Sequence, residues 1–550
     1  TTLRPLADTD PVTLRWRRLY EAESTIVMVD NGTAGDVLAN DGVYTASVPT
    51  TTLLAGDIIR WRIVAKDNSL TPVYSYDPPY TGFSATAPPG TLPPVSAAIE
   101  AEQYFGTMAI PVLVGNSTLP VLHWFYTGTD NTVNNTGTRC SFFWQPLPVD
   151  NPPVGYTPPR PRFYDNVLVN LHGQSSAGFP KKSHDLSFGK DNRFLWKDGT
   201  PATSGVNLLS NYADKTKVRN PAAWWTWEKS GHIASHYDTL VRVQQNKVFK
   251  GLYDVVENAN ASWLQRQGLD EAGALYKMYN SLDSASSPGA EKKNPDDTNI
   301  ADLTALINGI APSLTRTVRL RYLYDNVNVP ALINFLATHS LILNRDFGHK
   351  NYYIYRDTNG TREWSLLPWD QDLSLGHTWT GAQNYFDDDI HSQAALQIGV
   401  TSNRLIELVY STPELNHMFV RRLRTLADQF YVSSTETNGP VTQFINNLVQ
   451  KIDPDPDNYA AGTDDADLEA RAWGFWLDGG GGTRINSTDA RMPAHTVRAQ
   501  ALRLTTANPS PPGGGAAYDD GTTTLLPFVP GRRDFFFKAV PPTSPGLSGV

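Results

Sequence analysis

The sequence predicts an α+β protein in which a small all-β sandwich precedes a larger mixed region. Two observations point there. Up to about residue 76, and again from about 95 to 190, short β-rich runs alternate with Gly, Asn and Asp turns. Between about 215 and 350, and again over roughly 403–450, apolar residues recur three and four apart, which is helical spacing. With 550 residues, 40% hydrophobic and 11% aromatic, the chain can bury several cores, so two or three domains are expected.

In chain order, Thr13-Leu14-Arg15-Trp16-Arg17 and Ile58-Ile59-Arg60-Trp61-Arg62-Ile63-Val64 read as strands of the sandwich, assigned with its linker to residues 1–95. The run from Asp30-Asn31-Gly32 to Asn40-Asp41-Gly42 has oxygen ligands for Ca²⁺. It lacks the alternating acidic spacing of a calcium loop, and Asn-Gly and Asp-Gly turn chemistry explains it with less. A Pro-rich link from Pro78-Pro79 to Pro93-Pro94 cannot sit inside a sheet and sets a boundary near residue 95. Strands return at Leu119-Pro120-Val121-Leu122-His123-Trp124-Phe125 and Asn166-Val167-Leu168-Val169-Asn170-Leu171. Helical patterning follows, as in Pro330-Ala331-Leu332-Ile333-Asn334-Phe335-Leu336-Ala337. A strand pair, Tyr352-Tyr353-Ile354-Tyr355 and Trp364-Ser365-Leu366-Leu367, separates the two helical blocks. Residues 506–550, with Pro-Ser-Pro-Pro-Gly-Gly-Gly and a Pro/Gly/Ser end, read as linker or tail.

Composition excludes several classes. The net charge of −9 comes from 55 acidic and 46 basic residues with no long run of either sign, which offers no nucleic-acid-binding surface. Cys140 is the only cysteine, so there is no intrachain disulfide and no cysteine zinc cluster. No apolar stretch approaches the length of a membrane span. The chain opens with Thr1-Thr2, so export after removal of a leader or precursor segment is expected, with a secreted or cell-surface location. Sequons at Asn31, Asn116, Asn134, Asn260, Asn359 and Asn486 are explained by chance in an Asn- and Thr-rich sequence.

The most informative segment is Asn344-Arg345-Asp346-Phe347-Gly348-His349-Lys350-Asn351. An Asp, an Asn five residues later, then a hairpin ending in another Asp is the order phosphoryl transfer requires. The first Asp orients the acceptor hydroxyl, and the Asn and last Asp hold Mg²⁺ at the nucleotide phosphates. The last Asp is Asp370, in Pro368-Trp369-Asp370-Gln371-Asp372. By spacing alone the same residues serve as loop and cap residues, so their weight comes from position, between a helix and a strand pair. Trp369 reads as packing, and His349, a lone histidine, is given no role.

At this point the sequence resembles the CotH (spore coat protein H) family of atypical secreted kinases. Ser175-Ser176 after Gly173 and Lys181-Lys182 look like the family's Gly-x-Ser-Ser loop and Lys-Lys strand. Asp214 to Arg219-Asn220 looks like its Asp…Arg-Asn motif, Gly251-Leu252-Tyr253 to Glu257 its Gly-x-Tyr…Glu motif, and Trp369-Asp370-Gln371-Asp372 its Trp-Asp-x-Asp motif. The agreement runs in order over roughly residues 117–505.

The resemblance implies a bilobal, atypical protein-kinase-like domain over 96–505, strand-rich to about 260 and helix-rich after, binding ATP and Mg²⁺ and phosphorylating protein hydroxyls. By the same carry-over Asp346 is catalytic, and Asn351, Asp370 and Asp372 are metal ligands. Lys182 or its neighbour Lys181 contacts nucleotide phosphate, Glu257 positions that lysine through an ion pair, and Ser175 and Ser176 form the phosphate loop. Lys182 is preferred, although strand alternation lets only one of the two point into a cleft. Asn170-Leu171-His172-Gly173 departs from the family by lacking an Arg before the Gly, which removes a cation near that loop.

The expectation is therefore a secreted atypical protein kinase. The alternative is a non-catalytic extracellular structural or adhesive protein that keeps the kinase-like fold as a scaffold, and a weaker third reading pairs Asp346 and Asp370 as a carbohydrate-active acid and base. Asn351, Asp370 and a phosphate-contacting Lys together favour chemistry, because a scaffold has no use for that combination.

Overall fold

A computed structural model describes residues 6–78, 103–376, 403–476 and 528–537, with scattered positions between 484 and 501. Short stretches within these ranges, at 8–9, 114–116, 147–159, 190, 197–198, 215, 287–288, 345, 432–438 and 456–458, are excepted. The chain combines helices with several sheets, an α+β architecture. It divides into two compact units, residues 1–209 with 241–253 and residues 210–240 with 254–550. The Pro-rich link falls outside the described residues beyond Pro78, as does the expected tail except for 528–537.

In the first unit, strands β1 (Val12–Arg18), β2 (Ser24–Val27), β3 (Ile58–Lys66), β4 (Tyr74–Asp77) and β5 (Phe105–Met108) form one five-stranded antiparallel sheet. Strand alternation sorts its side chains by face. Val12 and Leu14 pack with Met28, Ile63 and Ala65 on one side. On the other, the register sets Arg15 opposite Arg62 and Arg17 opposite Arg60. Like charges directly opposed are destabilising, and two carboxylates and a ring offset them. Arg60 donates to both oxygens of Asp165 at 2.8 and 3.0 Å, and Arg62 pairs with Glu23 at 2.9 Å. The guanidiniums of Arg17 and Arg60 lie 4.4 and 4.5 Å from the Tyr104 ring.

Asp165 belongs to a closed barrel whose strands lie largely in that unit. Its strands are β6 (Val121–Phe125), β7 (Thr138–Gln145), β8 (Arg162–His172), β9 (Ser183–Ser187), β10 (Gly205–Leu209), β11 (Asp238–Gln245) and β12 (Val248–Glu257), ordered β10-β12-β11-β6-β7-β8-β9. Closure removes the free sheet edges. The sheet rests on the barrel through Ile58, Met108, Phe125 and Phe143, with Phe163 packed against them. Gly106 permits this approach, since a Cβ there would stand 2.4 Å from the Phe163 ring.

The second unit holds helices α1 (Arg219–Ser230), α2 (Ala261–Arg266), α3 (Ala301–Gly309), α4 (Arg316–Asn326), α5 (Val329–Ile342), α6 (Arg404–Ser411), α7 (Pro413–Phe430), α8 (Pro440–Ile452) and α9 (Asp465–Trp473). Strands β13 (Ala274–Met278), β14 (Ala290–Asn294), β15 (Tyr352–Arg356) and β16 (Trp364–Pro368) make an antiparallel sheet ordered β14-β13-β15-β16. α5 is the central element and is buried without interruption from Ala331 to Ile342. A helix buried all round needs partners on every side, and α5 packs on α1, α7 and β16. Asn328 caps its start by accepting from Ala331 N, with Pro330 in the first turn where no amide donor is needed. Within the stretch expected as tail, a helix at Phe528–Phe537 docks here, its fully buried Arg532 donating through Nη2 to Ser340 O at 2.7 Å.

Candidate active site

The site begins where α5 stops. Leu343 takes the left-handed conformation, φ 51°, its N–H turns back onto the end of the helix, and the chain leaves as a loop. The first loop residue, Asn344, is fully buried, and its Oδ1 accepts from Asp346 N at 2.9 Å, which fixes the turn carrying Asp346. Asn351 ends the loop, also left-handed at φ 59°, a conformation Asn tolerates better than most residues. Its Nδ2 donates to Asp346 Oδ2 at 2.8 Å.

The β15–β16 hairpin then brings the second acidic group back. Tyr352 pairs with Pro368, so residues just before β15 and just after β16 emerge at the same end of the sheet. Asp370 follows, left-handed at φ 58°. Asn344 Nδ2 reaches Asp370 O at 3.1 Å and Gln371 Oε1 at 3.2 Å, fastening one loop to the other. Trp369 packs edge-on against Tyr353 and His236, with ring centroids 5.5 and 5.1 Å away.

The electrostatics follow from crowding. Burial, then the charge of Asp370, pushes the Asp346 carboxyl up to about 7, opposed by Lys350 and by the Asn351 hydrogen bond. Asp346 Oδ1 is buried without a hydrogen-bond partner, with His349 Nε2 at 3.5 Å, and Lys350 Nζ stands 3.8 Å from Oδ2. Asp372 is raised well above the usual carboxylate range by burial first, then by the charge of Asp370 and a hydrogen bond with it, then by Asp346 and Asp214. Asp372 thus feels the charge of three other carboxylates.

Asp214 was legible only as part of a motif. In the structure it receives Arg219 Nη1 at 2.6 Å and Arg219 N at 3.1 Å, which sets a negative charge at the start of α1. Asn220 completes that motif by donating to buried Asp254 Oδ2 at 2.8 Å. His349, given no role from sequence, lies against Asp346, and burial and Lys350 lower its pKa. Asn344 and Gln371 carried no sequence signal beyond standing next to named residues.

The other expected residues are placed as follows. Glu257 is buried in a two-oxygen ion pair with Arg266, Nε to Oε1 at 2.6 Å, and accepts from Tyr237 N at 3.1 Å. In the first unit Lys181 is fully buried, donates to Leu252 O and lies 4.3 Å from the Tyr253 ring centroid. Lys182 is half-buried and donates to Ala177 O at 2.6 Å. Ser175 and Ser176 open a 3₁₀ turn, Ser175–Gly178, after Gly173, whose φ of 103° and close approach to Ser176 Oγ leave no room for a Cβ. In the N-terminal sheet region, one carboxylate oxygen each from Asp30, Asp36 and Asp41 lie within 4.8 Å of one another. Turn amides donate to all three: Asp30 takes Asp41 N and Gly42 N at 3.1 and 2.9 Å, Asp36 takes Gly32 N at 2.6 Å, and Asp41 takes Val43 N at 2.9 Å.

No helix among the described residues is long and apolar enough to cross a membrane. No curated protein matches the chain. A family model described as CotH kinase protein matches residues 169–472, more than half of the chain and the whole of the acidic loop system. The chain belongs to the CotH kinase family.

Proposed function

We propose that this chain is a secreted atypical protein kinase, bilobal in its catalytic region behind an N-terminal β-module, that transfers the γ-phosphate of ATP to protein hydroxyl groups. The observation that carries the reading is the buried, unpartnered Oδ1 of Asp346 beside the carboxylates of Asp370 and Asp372. Buried carboxylates crowded together are costly unless a cation joins them. Three carboxylates and an amide oxygen are hard oxygen donors, which suit Mg²⁺.

Asp370, Asp372 and the Asn351 carbonyl oxygen would hold the ion, and Mg²⁺ with ATP supplies the charge neutralisation and the phosphoryl group. The protein's own part is positioning. Asn351 Nδ2 holds Asp346 Oδ2, which leaves Oδ1 to accept the proton of an acceptor hydroxyl. As that proton moves to Asp346, the hydroxyl oxygen bonds the γ-phosphorus, the bond to the β–γ bridging oxygen breaks, and ADP leaves. The lysines and serines of the first unit enter this reading by family resemblance alone, with Lys181 or Lys182 on a nucleotide phosphate.

Transfer of labelled γ-phosphate from Mg-ATP to the protein and to a generic acceptor tests the proposal. Incorporation is expected in the parent and lost by about 10²–10⁴-fold in Asp346→Ala and Asp370→Ala, with folding intact. A parent that shows neither incorporation nor Mg²⁺-dependent nucleotide binding returns the protein to the scaffold reading. Recovery of the mature chain from the medium of its source tests export.

A further inference from the structure

We infer that Gln371, Asn344 and Trp227 form a buried clamp that sets the spacing between the Asp346 loop and the Asp370 loop, and so acts as the positioning device for the cation site. The inference rests on the functional reading above.

Gln371 is the unassigned residue of Trp369-Asp370-Gln371-Asp372, and it is fully buried between the two acidic positions. A buried side-chain amide is expensive unless each group is used. Here both ends are used: Nε2 donates to Trp369 O at 2.8 Å, while Oε1 accepts from Trp227 Nε1 at 2.9 Å and from Asn344 Nδ2 at 3.2 Å. Trp227 is itself fully buried on α1 and packs against Phe335 of α5, at a centroid distance of 5.8 Å. The Gln371 oxygen is therefore anchored to the helical core as well as to the Asp346 loop.

Asn344 is the second jaw. Its Oδ1 holds Asp346 N, and its Nδ2 holds both Asp370 O and Gln371 Oε1. One buried side chain thus touches the backbone of both proposed acidic residues, 24 residues apart (370 − 346). All three clamp residues are fully buried. Their function is to keep two left-handed or turn segments, which repel one another through their carboxylates, at the separation one cation bridges. Packing alone does not account for the set, since a leucine fills the place of Gln371 without the desolvation cost.

The test is direct binding of Mn²⁺ to the full chain, read from the loss of the free-ion EPR signal, for the parent, Gln371→Leu and Trp227→Phe, with thermal unfolding as the folding control. Leu removes the acceptor oxygen for Trp227 and Asn344, whereas Phe keeps an aromatic ring on α1 and removes only the Nε1 donor to Gln371. Neither variant changes the charge of the site. The clamp predicts about 10–100-fold weaker Mn²⁺ binding in Gln371→Leu and a smaller loss in the same direction in Trp227→Phe, whereas packing alone leaves both at the parent value. Should Gln371→Leu not fold, Trp227→Phe carries the test. Parent-like Mn²⁺ binding in folded Gln371→Leu or, failing that, in Trp227→Phe overturns the clamp alone. A parent that binds no Mn²⁺ overturns the functional reading and the clamp with it.

Discussion

Asn351 donates its side-chain amide to one oxygen of Asp346 at 2.8 Å while the other oxygen of that carboxylate is buried without a hydrogen-bond partner. One oxygen is anchored and the other is available, so the two residues define a direction as well as a place. The Asn351 hydrogen bond favours the charged carboxylate, opposing the burial and the Asp370 charge that raise it. Removing it in Asn351→Ala is expected to push the Asp346 titration above its value of about 7. Carboxyl ¹³C NMR of the cation-free protein reads that shift, and phosphoryl transfer should fall by roughly 10²-fold or more in the same variant.

The raised Asp346 carboxyl makes cation-free stability depend on pH. Its folded value of about 7 lies above the unfolded one, so its contribution is fully present below the ordinary carboxylate range and is lost as pH rises through 7. The shift corresponds to about 4 kcal/mol, as an order of magnitude. Asp372 is shifted in the same direction and adds to the effect. Mg²⁺ should therefore raise the melting temperature more at pH 8 than at pH 5, and Asp346→Asn should flatten the cation-free pH dependence. Calorimetry at the two pH values, with and without MgCl₂, checks both expectations.

Glu257 and Arg266 form a buried pair in which the guanidinium also lies over the Tyr237 ring, 3.5 Å from its centroid. Burial alone raises the Glu257 carboxyl, and Arg266 opposes that rise. Arg266→Ala leaves the carboxylate without its partner and is expected to cost about 3–5 kcal/mol. Adding Glu257→Gln should recover a large part of the loss. Denaturant unfolding of the two single variants and the double variant measures the coupling.

Asp165 neutralises an arginine face that β1 and β3 build by register. In Asp165→Ala, Arg60 stays buried beside Arg17 and Arg62 with no carboxylate of its own, and destabilisation of about 3–5 kcal/mol is expected. The loss should fall on the seat of the N-terminal sheet against the barrel. Limited proteolysis should then cut the N-terminal region faster than the rest, while Asp165→Ala combined with Arg60→Met, which removes both charges of the pair, should be milder than Asp165→Ala alone.

Much of the acidic site was legible because it is local. Asp346, Asn351, Asp370 and Asp372 lie on two loops joined by one hairpin, and the strand signals around Tyr352 and Trp364 announce that hairpin. The α5 helix was legible for a similar reason, since its apolar residues recur three and four apart. The Arg532 helix was not, because ten residues with a proline and a glycine inside a Pro/Gly-rich stretch have little intrinsic helical preference, and docking supplies what propensity lacks.

By itself, the sequence determined the family, the α+β composition and the order of motifs along the chain, since these depend on residue type and spacing. Tertiary structure alone decided which partner each buried polar group takes. By sequence Lys181 and Lys182 read as part of a strand, but both stand just ahead of β9, and packing rather than strand alternation buries Lys181 and leaves Lys182 half-buried. Sequence marks Glu257 as a carboxylate, and the fold delivers it to Arg266. Nothing in the spacing of Trp227, Asn344 and Gln371 foretells their meeting. The physical reason is common to all three: a buried polar group must be satisfied by whatever the fold brings within about 3 Å, and the fold brings together residues far apart in the chain.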